Sequence, residues 1–183
     1  MINKQKLPSL RGRGAYFFHL IIVTNEKPKA MVISISDTRE AAEDASGDLL
    51  VGLLSEFGAD VVGKLLITDE LSEIAETLKK CTDGSGIDLV VTTGGTGFSP
   101  RDNTPEATRA VIEREAPGLA EAMRRETAGK TPLAILSRGV CGIRGNSLII
   151  NLPGSPKAVA ECFEVLRTVL RHALRVLAGD RVH

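Results

Sequence analysis

The sequence lacks an excess of charge of either sign. Its 23 lysines and arginines balance 23 aspartates and glutamates. That removes the electrostatic case for a general nucleic-acid binder, which shows net positive charge or a basic stripe. Cysteine is scarce: Cys81, Cys141 and Cys162 are far apart, odd in number and never in a C-x-x-C pair. That argues against a disulfide framework and a structural zinc site, and it fits a reducing cytoplasm. His19, His172 and His183 do not cluster and read as single surface or partly buried residues. No apolar run approaches the ~20 residues that a membrane span needs. Internal repeats and low-complexity tracts are absent. Aromatics are few, and three of the six (Tyr16, Phe17 and Phe18) crowd into residues 15–23.

That crowded stretch follows Lys4, Lys6, Arg11 and Arg13, an order similar to the basic and apolar regions of a signal peptide. His19 interrupts the apolar run, and Thr24 to Lys27 offers no small-x-small cleavage site. Residues 1–28 are read as an extension unlike the rest in composition. Two origins stay open, an upstream start or an extra edge strand. A single domain is expected over 29–181.

From residue 29 onward, short apolar runs alternate with longer amphipathic ones. Strands are expected at 31–36, 61–67 and 87–92, and Gly145-Asn146 is placed as a tight hairpin between 140–144 and 147–152. Ser46 is expected to cap a helix reaching Phe57, with Gly58 as its stop. Thr68-Asp69-Glu70 opens another, to about residue 81. Thr104 is expected as a cap and Pro105 as the first residue of a helix reaching about residue 115. Pro117-Gly118 breaks it, and a further helix carries Leu119, Ala122 and Met123. Ser155-Pro156 starts a long last helix, whose Val159, Phe163, Leu166, Leu170, Leu174 and Leu177 share one face. Such alternation predicts a mostly parallel sheet covered on both sides. Ligands of such folds bind beyond the carboxyl ends of the strands. Those ends deliver Ser36-Asp37, Thr68-Asp69, residues 92–102 and residues 152–155 to one rim.

The most informative stretch is Thr92-Thr-Gly-Gly-Thr-Gly97 with Ser99, Arg101, Asp102, Thr104 and Pro105 behind it. Glycines let backbone N–H groups approach an anion, and a helix start adds further donors. The spacing is neither a P-loop nor G-x-G-x-x-G. Gly-Gly-Thr-Gly alone is no more than a steric turn, and its company gives it weight. Asp102 has three readings: a helix cap, a partner for Arg101, or a Mg²⁺ ligand, since magnesium is held by one or two carboxylates plus substrate phosphates. Asp69 reads first as a helix-start acid, and only its place on the rim adds to that. Asp37 and Asp44 share the ambiguity. Ser137, Ser147 and Asn151 are unspecific polar candidates. Pro153-Gly-Ser-Pro156 is either a plain turn or a second anion seat.

Taken together, Thr92–Gly97, Pro100-Arg-Asp102, Thr104-Pro-Glu-Ala-Thr108, Leu136-Ser-Arg138, Gly142-Ile-Arg-Gly145 and Leu148-Ile-Ile-Asn-Leu-Pro-Gly154 closely resemble the MogA/MoaB family of molybdenum-cofactor biosynthesis proteins. That family includes the G domains of gephyrin and of its plant counterpart. The likeness spans most of the chain, and Pro-Arg-Asp-x-Thr-Pro is closer to the MogA branch. The resemblance implies a three-layer α/β/α fold, a mostly parallel central sheet plus a hairpin. It implies a molybdopterin adenylyltransferase that uses Mg²⁺ with ATP as co-substrate, releases pyrophosphate, and needs no tightly bound organic cofactor. Asp69 and Asp102 match the family's essential aspartates and candidate Mg²⁺ ligands. Ser137 and Ser147 match its molybdopterin side. Thr93, Gly94, Gly95, Thr96 and Gly97, with Pro153 and Gly154, match its nucleotide side. The resemblance further implies a cytoplasmic homotrimer working beside other molybdenum-cofactor biosynthesis proteins. A non-catalytic molybdopterin-binding protein or a MoaB-type member is the alternative. Thr38, where arginine is usual, and Asn103, where a small aliphatic residue is frequent, depart from the pattern.

Overall fold

The computed structural model describes residues 27–37 and 43–179. Residues 1–26, Thr38 with 39–42, and 180–183 lie outside them, and with them both readings of the N-terminal extension. In chain order the elements are β1 (Lys29–Ile35), α1 (Ala45–Phe57), β2 (Asp60–Ile67), α2 (Leu71–Thr82), β3 (Leu89–Thr93) and α3 (Thr104–Val111). Then come β4 (Arg114–Glu115), α4 (Pro117–Ala128), a 3-10 helix (Pro132–Leu136), β5 (Cys141–Arg144), β6 (Ser147–Leu152) and α5 (Pro156–Leu177).

The sheet order is β2-β1-β3-β6-β5-β4. β2, β1, β3 and β6 are mutually parallel, and β5 and β4 add antiparallel strands at one edge. Successive strand side chains point to opposite faces. Val32, Leu89, Val91, Leu148, Ile150 and Leu152 therefore pack against α1, α4 and α5, while Ile33, Ile35, Val90 and Ile149 pack against α2 and α3. Both faces are covered, which is why the central strands read as unbroken apolar runs. The expected three-layer α/β/α architecture with its hairpin is what the chain adopts. β2 forms the other edge, with Val62 and Leu65 substantially exposed and Lys64 between them bridged to Asp44 and Asp48.

Two expected boundaries move, for local reasons. Ser46 does not cap α1. Asp44 does, accepting the Gly47 N–H at 3.0 Å and the Ser34 hydroxyl at 2.6 Å, so a buried carboxylate outcompetes the hydroxyl. Ser46 instead donates to the Gly154 carbonyl at 2.7 Å. Asp44 is thereby a fold residue. Thr104 is likewise not the cap of α3 but its first residue, and its buried hydroxyl donates to the Gly94 carbonyl at 2.9 Å. The α3 helix stops at Val111, short of the expected residue 115. The Glu113 and Ala116 N–H groups pair with the Ile143 and Cys141 carbonyls, drawing 114–115 into the sheet as β4.

On the α5 side, Phe163 meets Phe57 edge-on with ring centroids 6.3 Å apart. Arg167 and Arg171 lie over the two rings at 5.4 Å and 5.0 Å. Phe163→Ala removes one of the largest fully buried side chains. It should cost about 3–5 kcal/mol in denaturant-induced unfolding.

Candidate functional site

Because β1, β2, β3 and β6 run parallel, their carboxyl ends share one rim. At the end of β3 the backbone turns through Gly94 at φ 107° and Gly95 at φ 60°. A side chain at residue 94 would collide with the Ile35 carbonyl, and one at residue 95 would meet the Thr104 hydroxyl and lie 2.8 Å from Asp69 Oδ1. Thr93 donates through its hydroxyl to the Pro153 carbonyl at 2.7 Å, and the Gly94 N–H donates to the Leu152 carbonyl at 3.2 Å. Thr93 and Gly94 thus have their donors taken up by the β6 end, and they shape the loop without offering those groups to a ligand. By contrast, among the described residues no acceptor takes the N–H groups of Gly95, Thr96 and Gly97.

Asp69 follows β2 and is 9% exposed. Its Oδ2 accepts the Asp37 N–H at 2.9 Å, and its own N–H donates to Asp37 Oδ1 at 3.0 Å. Burial pushes the Asp69 carboxyl upward; the Asp37 N–H opposes this, and the negative charges of Asp37 and Asp102 add to it. Arg101 does not pair with Asp102. Its guanidinium reaches Asp37 at 2.8 Å and Glu70 at 2.7 Å, and the Arg101 bond holds the Asp37 carboxyl below its ordinary value. Asn103 donates to the Asp69 carbonyl at 2.9 Å, so this departure from the family pattern braces the loop against β2.

Asp102 Oδ2 accepts the Ser99 N–H at 2.8 Å and lies 2.9 Å from where a side chain at residue 97 would begin. Arg138 clasps this loop at both ends. Its Nε donates to the Gly97 carbonyl and its Nη2 to the Asp102 carbonyl, both at 2.6 Å, while Nη1 pairs with Glu106. A cavity of about 470 Å³ opens beside it, walled by Gly95, Thr96, Gly97, Asp102, Ser137, Pro153 and Gly154 at the rim. Ala120, Met123, Arg124, Thr127, Ala158 and Cys162 from α4 and α5 line the rest. Asp102 also lines a shallower recess with Phe98, Asn103 and Glu106.

Of the residues expected at the site, the fold collects Asp102, Gly95, Thr96, Gly97, Ser137, Pro153 and Gly154 around one cavity. Asp69 stands just behind Gly95 and outside the cavity wall, near enough to Asp102 for their charges to interact. Ser147 is not there. It begins β6, while the rim lies at the β6 end, and its buried hydroxyl donates to the Ile87 carbonyl at 2.6 Å. The fold therefore does not bring Ser147 to this cavity, and within this chain its hydroxyl serves the backbone. Asn151, though on the wall, has its amide engaged with Thr92, Thr108 and the Val140 N–H. The sequence reading missed Arg124 and the clasping role of Arg138. A signal for Arg124 was available, because it follows Ala120 by four positions on the buried face that carries Met123 and Thr127.

Residues 31–172 match the family model described as a probable molybdopterin binding domain. The chain is 46% identical over 153 residues to the molybdenum cofactor synthesis protein cinnamon of Drosophila melanogaster, using 81% of this chain but only 25% of that protein. It is 41% identical over 156 residues to the molybdopterin adenylyltransferase of Helicobacter pylori, covering 81% of this chain and 87% of that one. The solved structure of the molybdopterin biosynthesis enzyme MoaB of Thermus thermophilus matches with a TM-score of 0.77 and 43% identity, over 83% of this chain and 97% of that one.

Two outcomes test the site. Asp69 has a folded carboxyl raised above its unfolded value, so the native state binds more protons and stability falls as pH rises through that window. Asp69→Asn should therefore raise the metal-free melting temperature at neutral pH, with the gain vanishing in acid below the unfolded carboxyl value of about 3.9. Ser147→Ala should leave the affinities for both substrates unchanged while costing ~1–3 kcal/mol, because the Ile87 carbonyl loses its buried partner.

Proposed function

The chain belongs to the MogA/MoaB family of molybdopterin-binding domains, and on that premise we propose that it is a molybdopterin adenylyltransferase acting in molybdenum-cofactor biosynthesis. One observation carries the reading. Three N–H groups without acceptors among the described residues and the Asp102 carboxylate meet at one cavity, with the Asp69 carboxylate just behind Gly95, in a chain 41% identical to a molybdopterin adenylyltransferase.

In the reaction a terminal phosphate oxygen of molybdopterin attacks the α-phosphorus of ATP. The new P–O bond forms as the α–β bridging bond breaks, and pyrophosphate carries the leaving electron pair. Both reactants are anions, so the protein's task is to gather and compensate negative charge. Gly95, Thr96 and Gly97 present their N–H groups to the triphosphate, as fixed dipoles that need no reorganisation. Asp69 and Asp102 fit a divalent cation. Their charges already interact, and among the described residues no cluster of three or more His, Cys, Asp or Glu forms a closed metal cage. A donor set of two carboxylates completed by substrate phosphates suits Mg²⁺. Held there by Asp69 and Asp102, such a metal would supply charge neutralisation to the phosphates. Arg101 and Asp37 hold Asp69 in register, and Arg138 fixes the loop that carries Asp102.

Direct transfer agrees with the thiols. All three are buried, and burial pushes Cys141 up to about 12 and Cys162 up to about 11, far from a reactive thiolate. A cytoplasmic setting and assembly into a homotrimer, alongside other molybdenum-cofactor biosynthesis proteins, belong to the same reading. Among the described residues no helix is long and apolar enough to cross a membrane, and exposed Leu133, Ile135, Val169 and Val176 offer apolar surface for protein contacts. A MoaB-type role is the second reading, favoured by the 43% identity to the Thermus thermophilus protein.

Pyrophosphate release from ATP with molybdopterin tests the proposal. The wild type should turn over, and Asp102→Ala should lose at least ~100-fold in kcat with its fold intact. Wild-type-like turnover by that variant would remove Asp102 from the reaction. A wild type without turnover that still binds molybdopterin would favour the second reading.

A further inference from the structure

Three arginines stand near the site, and two are neutralised. Arg101 pairs with Asp37 and Glu70, and Arg138 pairs with Glu106. Arg124 is different. It is half-buried on the inner face of α4, and among the described residues it is the one cationic side chain on the wall of the 470 Å³ cavity. Its Nη1 donates to the Ser137 and Gly139 carbonyls at 3.3 Å and 3.1 Å. Those neutral acceptors fix the guanidinium in place and leave its charge uncompensated. Among the described residues no carboxylate forms an ion pair with it, although Asp102 and Glu161 line the same cavity. A half-buried cation without a counter-ion, facing a cavity, is an electrostatic cost to the empty protein that an anionic ligand relieves.

We propose that Arg124 binds the phosphate monoester of the second substrate, the group that attacks ATP, and so sets the preference for phosphorylated over dephosphorylated pterin. The assignment rests on the adenylyl-transfer reading. In that reading the free N–H groups of Gly95 to Gly97 and Asp102, with Asp69 just behind Gly95, form the nucleotide side of the cavity. Arg124 lies with Ser137, which it anchors, on the side left for the other substrate. Both substrates are anions, and a metal held by Asp69 and Asp102 serves the triphosphate. The incoming phosphate dianion needs its own counter-charge, and a guanidinium presents two parallel N–H donors suited to it.

The test compares wild type with Arg124→Met, Arg124→Gln and Arg124→Lys. It measures KM for molybdopterin and for ATP, and titrates each protein with molybdopterin and with its dephosphorylated form. Gln keeps a donor for the Ser137 and Gly139 carbonyls but carries no charge. The expected result is a KM for molybdopterin raised about tenfold in Met and Gln, equivalent to ~1.4 kcal/mol, with KM for ATP little changed. The same two variants should bind phosphorylated and dephosphorylated pterin alike, and Lys should restore part of the preference. If Gln behaves as wild type, or Met keeps the full preference for the phosphorylated form, Arg124 is only a brace and the inference falls. If the wild type itself binds neither form, the inference falls together with the adenylyltransferase reading.

Discussion

The site depends on one collision that does not happen. Where β3 ends, residue 94 lies so close to the carbonyl of Ile35 that only hydrogen fits in place of a side chain. With glycine there at positive φ, the backbone folds across the ends of its neighbours. The Gly94 N–H bonds to the end of β6, the Gly94 carbonyl accepts from Thr104 at the start of α3, and Thr93 holds Pro153. The loops after two parallel strands, β3 and β6, are joined within a few residues and packed against the end of β1. The N–H groups that follow have nowhere to go but the cavity.

Around that junction, charge is arranged by supporting pairs. Asp37 and Asp69 each donate a backbone N–H to the other's carboxylate across the β1 and β2 ends, and Arg101 compensates the outer carboxylate while leaving the inner one in a desolvated place. Arg138 binds two carbonyls at the ends of the Asp102 loop, so Asp102 is oriented by backbone contacts and by the Ser99 N–H. Neither Asp69 nor Asp102 forms an ion pair with Arg101, whose guanidinium goes to Asp37 and Glu70.

Much of this was legible in the sequence. Apolar runs in the central strands and a one-face pattern in α5 gave the layers, since burial on two faces or on one stripe leaves a periodic trace. The rim followed from parallel pairing, and the glycine loop from its residues. Cap identities were less legible, because Asp44 and Ser46, or Asn103 and Thr104, are chemically similar and only tertiary partners choose between them. The distance of Ser147 from the cavity was illegible for a related reason: a serine in a motif does not announce at which end of its strand it lies. Arg124 was overlooked among the charged residues of α4, although its spacing from Ala120 already set it on the helix's buried face.

The two margins of the sheet differ. One closes with the two-residue β4, too short to recruit foreign backbone. The other is the eight-residue β2, with no described strand beyond it. Stray pairing between copies, during synthesis or under stress, is therefore channelled to a single margin. There Lys64, tethered to Asp44 and Asp48, keeps a charged and hydrated group beside the strand, a feature that disfavours edge-to-edge pairing. Among the described residues the margin that needs such protection is β2, across the sheet from β4.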